Sequence, residues 1–164
     1  GRRPECLDLD LPADYISGRT ILVTGAGGSI GSELVFQAAG FRPAALGLLD
    51  SSEFNLFEVE MHARQRFEFI AVSTFLVDIR DEVNLRRVVR EFRPDVIFHA
   101  AALKHVPMQE LNPWEAVLTN VQGTRNLLEA VSERAPERFV LVSTDKAVRP
   151  TNVMGATKLS LIHI

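Results

Sequence analysis

The stretch Thr20-Ile21-Leu22-Val23-Thr24-Gly25-Ala26-Gly27-Gly28-Ser29-Ile30-Gly31 decides how the rest of the chain is read. Ile21 to Val23 is a short apolar run that ends at a glycine, the pattern of a strand buried on both faces. Residues 29–40 then place Ile30, Leu34, Val35 and Ala38 on one side of a helix. The glycines therefore occupy the turn from strand into helix, where each has a physical task. Gly25 permits the tight turn, Gly28 lets an anion approach the backbone, and Gly31 lets the helix pack close to the strand. The unpaired N–H groups of the helix start, at Ser29 and Ile30, face that anion.

The same alternation continues outward. Ala45 to Leu49 reads as a second strand ending at Asp50, followed by a helix over 52–66 with Phe54, Phe57 and Met61 aligned. Thr74 to Val77 reads as a third strand ending at Asp78. Asp81 is placed to cap a helix running to Phe92, with Leu85, Val88, Val89 and Phe92 inward and Arg86, Arg87, Arg90 and Arg93 on a solvated face. Asp95 to Ala101 reads as a fourth strand. Asn112 and Pro113 suit the N-cap and first position of a long helix lined by Val117, Val121, Thr124, Leu128 and Val131. Phe139 to Val142 is a fifth strand, and a new helix follows Pro150. Strands alternating with helices predict an α/β fold, a Rossmann-like doubly wound parallel sheet. Residues 1–18 read as a polar leader or linker and 19–158 as the sheet domain.

In such a sheet, ligands bind outside the carboxyl ends of the strands. The glycine turn predicts a bound pyrophosphate, and the acid ending the second strand extends this to a dinucleotide. Asp50 can accept hydrogen bonds from the adenine ribose hydroxyls, or compensate the next helix start together with Ser51 and Ser52. A carboxylate there repels a 2′-phosphate, and no arginine directly follows it, so NAD is expected rather than NADP. Asp78 either reaches the adenine edge or caps its own turn. Ser51, Ile79, Ala100, Ala101 and Ala102 complete the expected cofactor set at the strand ends.

Composition narrows the classes. The 164 residues suffice for one domain with a core, 46% of them are hydrophobic and 24% charged. A net charge of -3 argues against a broad nucleic-acid footprint. One cysteine, Cys6, excludes an internal disulfide and favours a reducing compartment. The four histidines show no metal-ligand spacing, so no metal site is expected. No apolar run is long enough to span a bilayer.

Several segments add up to a family likeness. The run Thr24 to Gly31 resembles the T-G-x-x-G-x-x-G signature of extended short-chain dehydrogenase/reductases. The segments LLDSSEFNLFEVE (48–60), HAAALKHVPMQELNPWEAVLTNVQGT (99–124) and STDKAVRPTNVMGATK (143–158) resemble the CapD-like nucleotide-sugar 4,6-dehydratases of polysaccharide and glycan biosynthesis. The resemblance implies a lyase that uses NAD as a recycled hydride carrier and converts UDP-N-acetylglucosamine to its 4-keto-6-deoxy form. A nucleotide-sugar epimerase or reductase, or a domain that only binds NAD, is the alternative.

By resemblance, Thr144 places a hydroxyl at the reacting carbon, Asp145 is the acid toward the C6 hydroxyl, and Lys146 is the base at C5. Those roles imply a raised pKa for Asp145 and a lowered one for Lys146. The resemblance also implies that Lys158 anchors the nicotinamide ribose; it shares a helix face with Met154, which stands where most of the superfamily has a tyrosine. A thioether transfers no proton at useful pH. Methionine at this place matches the large membrane-anchored branch of the family, and which group takes the 4-hydroxyl proton stays open. Asn120 matches a helix-ordering asparagine of the cofactor site, and Lys104 and His105 are expected on the cofactor side of the pocket. The likeness also implies a homo-oligomer, and a cytoplasmic domain of an inner-membrane-anchored parent.

The family continues beyond Lys158 with a substrate-binding region, so the sequence reads as truncated. Residues 159–164, Leu-Ser-Leu-Ile-His-Ile, resemble translated read-through of a sequencing adapter and are expected to be non-native.

Overall fold

The computed structural model describes residues 10–164. Five strands form one parallel sheet: β1 (Thr20–Thr24), β2 (Ala45–Asp50), β3 (Ala71–Leu76), β4 (Val96–His99) and β5 (Arg138–Leu141), in the order β3-β2-β1-β4-β5. β1 is central, with Ile21 opposite Leu46 on one side and Val96 on the other. The strand order reverses between β1 and β4, and a crevice opens there at the carboxyl ends.

Each sheet face carries its own core. On one face Val35, Ala38 and Ala39 of α2 (Ser29–Gly40) and Leu56, Val59 and Ala63 of α3 (Glu53–Arg66) join Ile21, Val23, Leu46 and Leu48. On the other, Leu85, Val88 and Val89 of α4 (Glu82–Phe92) and Leu127 and Ala130 of α7 (Thr124–Ala130) join Leu22, Leu49 and Ile97. The doubly wound parallel sheet expected from the alternation is the fold observed. Asp81 caps α4 by accepting from Asn84 N at 3.1 Å. Arg86 and Arg87 lie on its solvated face, paired with Glu82 and Glu91.

Other details differ from the sequence reading. Residues 10–16, taken as part of a leader, form α1 (Asp10–Ile16), and Ile16 is buried in the core. Cys6 lies outside the described residues. In α3 the stripe Phe54, Phe57, Met61 faces solvent, and Leu56, Val59 and Ala63 face the sheet. The helix has two apolar stripes, and the one with the smaller residues wins because fully buried Ala63 lets the helix sit close to β2 and β3.

The long helix after Asn112 is broken into α6 (Pro113–Ala116), a π-helical turn (Val117–Gly123) and α7. A π turn has a wider hydrogen-bond spacing and shifts the inward face. Ala116, Asn120, Gly123, Thr124 and Leu127 are buried, whereas Val117 is exposed and Val121 and Leu128 only half-buried. A further short helix, α5 (Val106–Leu111), precedes it. Asn112 gives no side-chain cap to α6; its Nδ2 donates instead to Met108 O at 2.9 Å. The final helix, α8 (Val153–Ser160), is capped by Asn152, whose Oδ1 accepts from Gly155 N at 2.8 Å. In the segment 159–164, Leu161 is buried. Among the described residues, no helix is long and apolar enough to cross a membrane.

Candidate functional site

The glycine turn is shaped by close approach. Gly25 has φ +69°, and a Cβ there would fall 2.6 Å from Ala101 Cα, so the turn after β1 lies against the segment after β4. A Cβ on Gly31 would collide with Gly25 O, so α2 starts in direct contact with the turn. Gly28 differs: a Cβ there would meet only Gly25 O, at 3.2 Å. Its outer side is open toward the crevice.

α2 also begins without a capping side chain, because its N-cap is Gly28. The helices α3, α4 and α8 are capped by the side chains of Ser52, Asp81 and Asn152. The first N–H groups of a helix have no partner within it, and the helix dipole adds positive potential there. An open glycine face beneath an uncapped helix start suits a pyrophosphate, as the sequence implied.

The crevice continues along the strand ends past Asp50 and Ser51 to Asp78, Ile79 and Arg80, with Ala100 to Leu103 as its opposite wall. Asp50 is held by two backbone donors: Gly27 N at 2.8 Å to Oδ2 and Ser52 N at 2.9 Å to Oδ1. Its carboxylate thus ties the glycine turn to the start of α3. Asp78 lies two residues beyond the end of β3. Its Oδ2 accepts from Arg80 Nε at 2.9 Å and Nη2 at 2.6 Å, and Oδ1 accepts from Arg80 N at 2.9 Å. The Arg80 side chain holds this carboxyl below the usual carboxylate range. Arg80 also donates to Glu115 Oε2 at 2.9 Å, and both residues line the crevice.

A second pocket shares Ala100 and Ala102 with the first. It is lined by Ile30, Lys104, His105, Thr144, Lys146, Met154 and Lys158. Met154 and Lys158 are buried side by side on α8. Lys158 Nζ donates to Val142 O at 3.1 Å, and burial pushes its ammonium below the ordinary lysine value. Thr144 Oγ1 donates to Asp145 Oδ1 at 3.0 Å and accepts from Lys146 N at 3.3 Å. α8 is seated against this turn at Gly155, where a Cβ would collide with Lys146 O.

Residues 21–162 match the family model described as polysaccharide biosynthesis protein. The chain belongs to that polysaccharide biosynthesis family. It is 43% identical over 162 residues to the capsular polysaccharide biosynthesis protein CapD of Staphylococcus aureus, covering 96% of this chain and 26% of the relative. It is 34% identical over 145 residues to an inverting UDP-N-acetylglucosamine 4,6-dehydratase of Campylobacter jejuni subsp. jejuni, covering 88% of this chain and 42% of the relative. Among solved structures it resembles Pen from Bacillus thuringiensis, with TM-score 0.81 and 32% identity over 89% of this chain and 45% of that one. The chain thus spans less than half the length of these relatives.

In this member of the polysaccharide biosynthesis family, the expected site residues fall into three groups. Gly25, Gly28, Asp50, Ser51, Asp78, Ile79, Ala100, Ala101 and Ala102 line the first crevice. Thr144, Lys146, Met154, Lys158 and Ile30 line the second pocket, together with Lys104 and His105. Ser29, Gly31 and Asn120 line neither; Ser29 begins α2, and Gly31 packs its first turn against Gly25. Asn120 is fully buried: its Oδ1 accepts from Leu103 N at 2.8 Å, and its Nδ2 donates to Leu103 O at 3.1 Å and Thr157 Oγ1 at 3.0 Å.

Asp145 is the exception. Its side chain is 89% exposed, and the Thr144 hydroxyl and the Lys146 ammonium hold its carboxyl below the usual range. The raised pKa implied by an acid role is therefore corrected, because among the described residues none takes the carboxyl out of water. The sequence reading missed Arg80, Glu115, Thr119, Leu103 and Ser143 as lining residues. Only Arg80 had a local signal, two residues from Asp78. The others are brought in by packing between distant segments.

Proposed function

We propose that this chain carries the NAD site and part of the catalytic surface of a nucleotide-sugar 4,6-dehydratase acting on UDP-N-acetylglucosamine. The observation that carries the reading is the shared wall Ala100–Ala102, with a glycine-turn crevice on one side and Thr144, Lys146, Met154 and Lys158 grouped on the other. Gly28 and the start of α2 hold the pyrophosphate, and Asp50 faces the adenine ribose and disfavours a 2′-phosphate. When bound, NAD supplies a hydride acceptor at sugar C4 that gives the hydride back at C6.

The remaining work belongs to this chain's side chains. Lys158, buried beside Met154, orients the nicotinamide ribose. Lys146 takes the proton from C5 and returns it there when the hydride comes back at C6, while the proton of the C4 hydroxyl passes to solvent as the ketone forms and offsets the one consumed in making water. Asp145 gives a proton to the departing C6 hydroxyl, which leaves as water. For that step Asp145 must be covered by the bound sugar or by protein above it, since desolvation is what raises a carboxyl pKa.

Two measurements test this. Calorimetric titration with NAD and NADP reads the cofactor site. Incubation with UDP-N-acetylglucosamine and NAD, followed by mass spectrometry, reads the chemistry as loss of one water from the sugar nucleotide. A C4-epimerised sugar of unchanged mass would replace the dehydratase reading with an epimerase one. Failure to bind NAD by folded protein would remove both.

A further inference from the structure

A buried chain of side chains joins the glycine turn to the π-helical turn. Thr24, the last residue of β1, places its Oγ1 2.6 Å from His99 Nδ1. His99, the last residue of β4, places Nε2 2.8 Å from Thr124 Oγ1. Thr124 Oγ1 in turn donates to Asn120 O at 2.6 Å. Thr24 and His99 are fully buried, and Thr124 nearly so.

The protons in this chain can be assigned by counting. A threonine hydroxyl has one hydrogen to give. That of Thr124 is spent on Asn120 O, so toward His99 it can only accept, and Nε2 must carry the hydrogen. A neutral imidazole has one N–H, so Nδ1 is bare and accepts from Thr24. Burial keeps the ring neutral. Every donor points the same way, from β1 through β4 into the π turn.

That turn is where Asn120 sits. Its amide clamps both backbone groups of Leu103 and reaches Thr157, the neighbour of Lys158. Leu103 ends the segment, 100–103, whose first residues form the common wall of the two pockets. π turns are rare and concentrate at functional sites, where a local support must hold the widened backbone.

We infer that His99 is a positioning residue: as the Nε2–H tautomer it holds the π turn in place, so that Asn120 fixes the wall between the dinucleotide crevice and the second pocket. The inference rests on the dinucleotide reading of the first crevice for its effect on affinity, but not for its structural part.

The test uses the chain itself and three substitutions. Gln at this position can replace Nε2–H, Asn can reach only toward Thr24, and Leu replaces neither bond. NAD affinity is expected within roughly threefold of the original for His99→Gln, and weakened roughly tenfold or more for His99→Asn and His99→Leu. Ile97→Val, a buried change on the same strand, serves as the control that lowers stability without touching the π turn. The Leu103 amide, which donates to Asn120, is expected to exchange with solvent roughly tenfold faster in His99→Asn than in His99→Gln.

Equal affinity and exchange in the Gln and Asn variants would overturn the inference. Where those variants do not fold, long-range proton–nitrogen spectra of the unaltered chain decide: a bare Nδ1 supports it, and a protonated Nδ1 overturns it. A chain that binds no NAD would remove the cofactor reading, while the tautomer and exchange results would still decide the role of His99.

Discussion

Asn120 Nδ2 donates to Thr157 Oγ1 at 3.0 Å, joining the π-helical turn to the helix that carries Met154 and Lys158. The same amide holds Leu103, so one buried side chain fixes the wall of one pocket and the floor of the next. Asn120→Ala leaves the Leu103 N–H and the Thr157 hydroxyl without this partner. A loss of about 2–4 kcal/mol in urea unfolding is expected, since each buried polar group left unsatisfied costs about 1–3 kcal/mol. A loss below about 0.5 kcal/mol would mean that water replaces the amide.

Asp50 accepts from Gly27 N and Ser52 N and lines the crevice, and in the proposed NAD site its charge disfavours a 2′-phosphate. Asp50→Ala is expected to raise the affinity for NADP relative to NAD by roughly tenfold or more, about 1.4 kcal/mol. Titration of both cofactors into both proteins checks this. An unaltered protein that binds NADP as tightly as NAD would contradict the assignment.

Gly25→Ala puts a methyl group into the Ala101 backbone at a residue with φ +69°. The left-handed conformation alone costs about 1–2 kcal/mol for a residue with a Cβ. Lower thermal stability is expected together with weaker NAD binding, because the turn and the wall move apart together. A variant of unchanged stability and affinity would show that the turn can shift at no cost.

His99 gives the protein a defined acid sensitivity. Burial, and secondarily the Lys158 charge, push its pKa from 6.5 down to about 3. A depressed pKa means that the unfolded chain takes up a proton that the folded chain refuses. The contribution is therefore complete above pH 6.5, falls as pH drops, and is lost by about pH 3. At pH 5 the loss is about 2 kcal/mol, from about 1.4 kcal/mol per pH unit for one proton. Urea unfolding at pH 7 and pH 5 should show this drop in the unaltered chain, and a smaller one in His99→Gln.

Much of this was legible in the residues. The apolar run Ile21–Val23, the acids Asp50 and Asp78, and the inward stripe of α4 gave strand, turn and helix because local periodicity and turn chemistry decide those features. Candidate groups such as Thr144, Lys146 and Lys158 could be named because the motif holding them is contiguous.

Choices between near-equal local options were not legible. Phe54, Phe57 and Met61 made as good a helical stripe as Leu56, Val59 and Ala63 until the sheet selected the one that packs closer. The break at Val117–Gly123 has no local signal, and its neighbouring polar contacts, Thr124 with His99 and Asn120 with Leu103, come from segments far away in the chain. The sequence by itself determined the alternating parallel sheet and the glycine turn at its switch point. Only the tertiary structure decided which side chains meet across the Ala100–Ala102 wall, and that Asp145 stands in water. Burial and hydrogen-bond partners are supplied by segments far apart in the chain, and no local pattern encodes them.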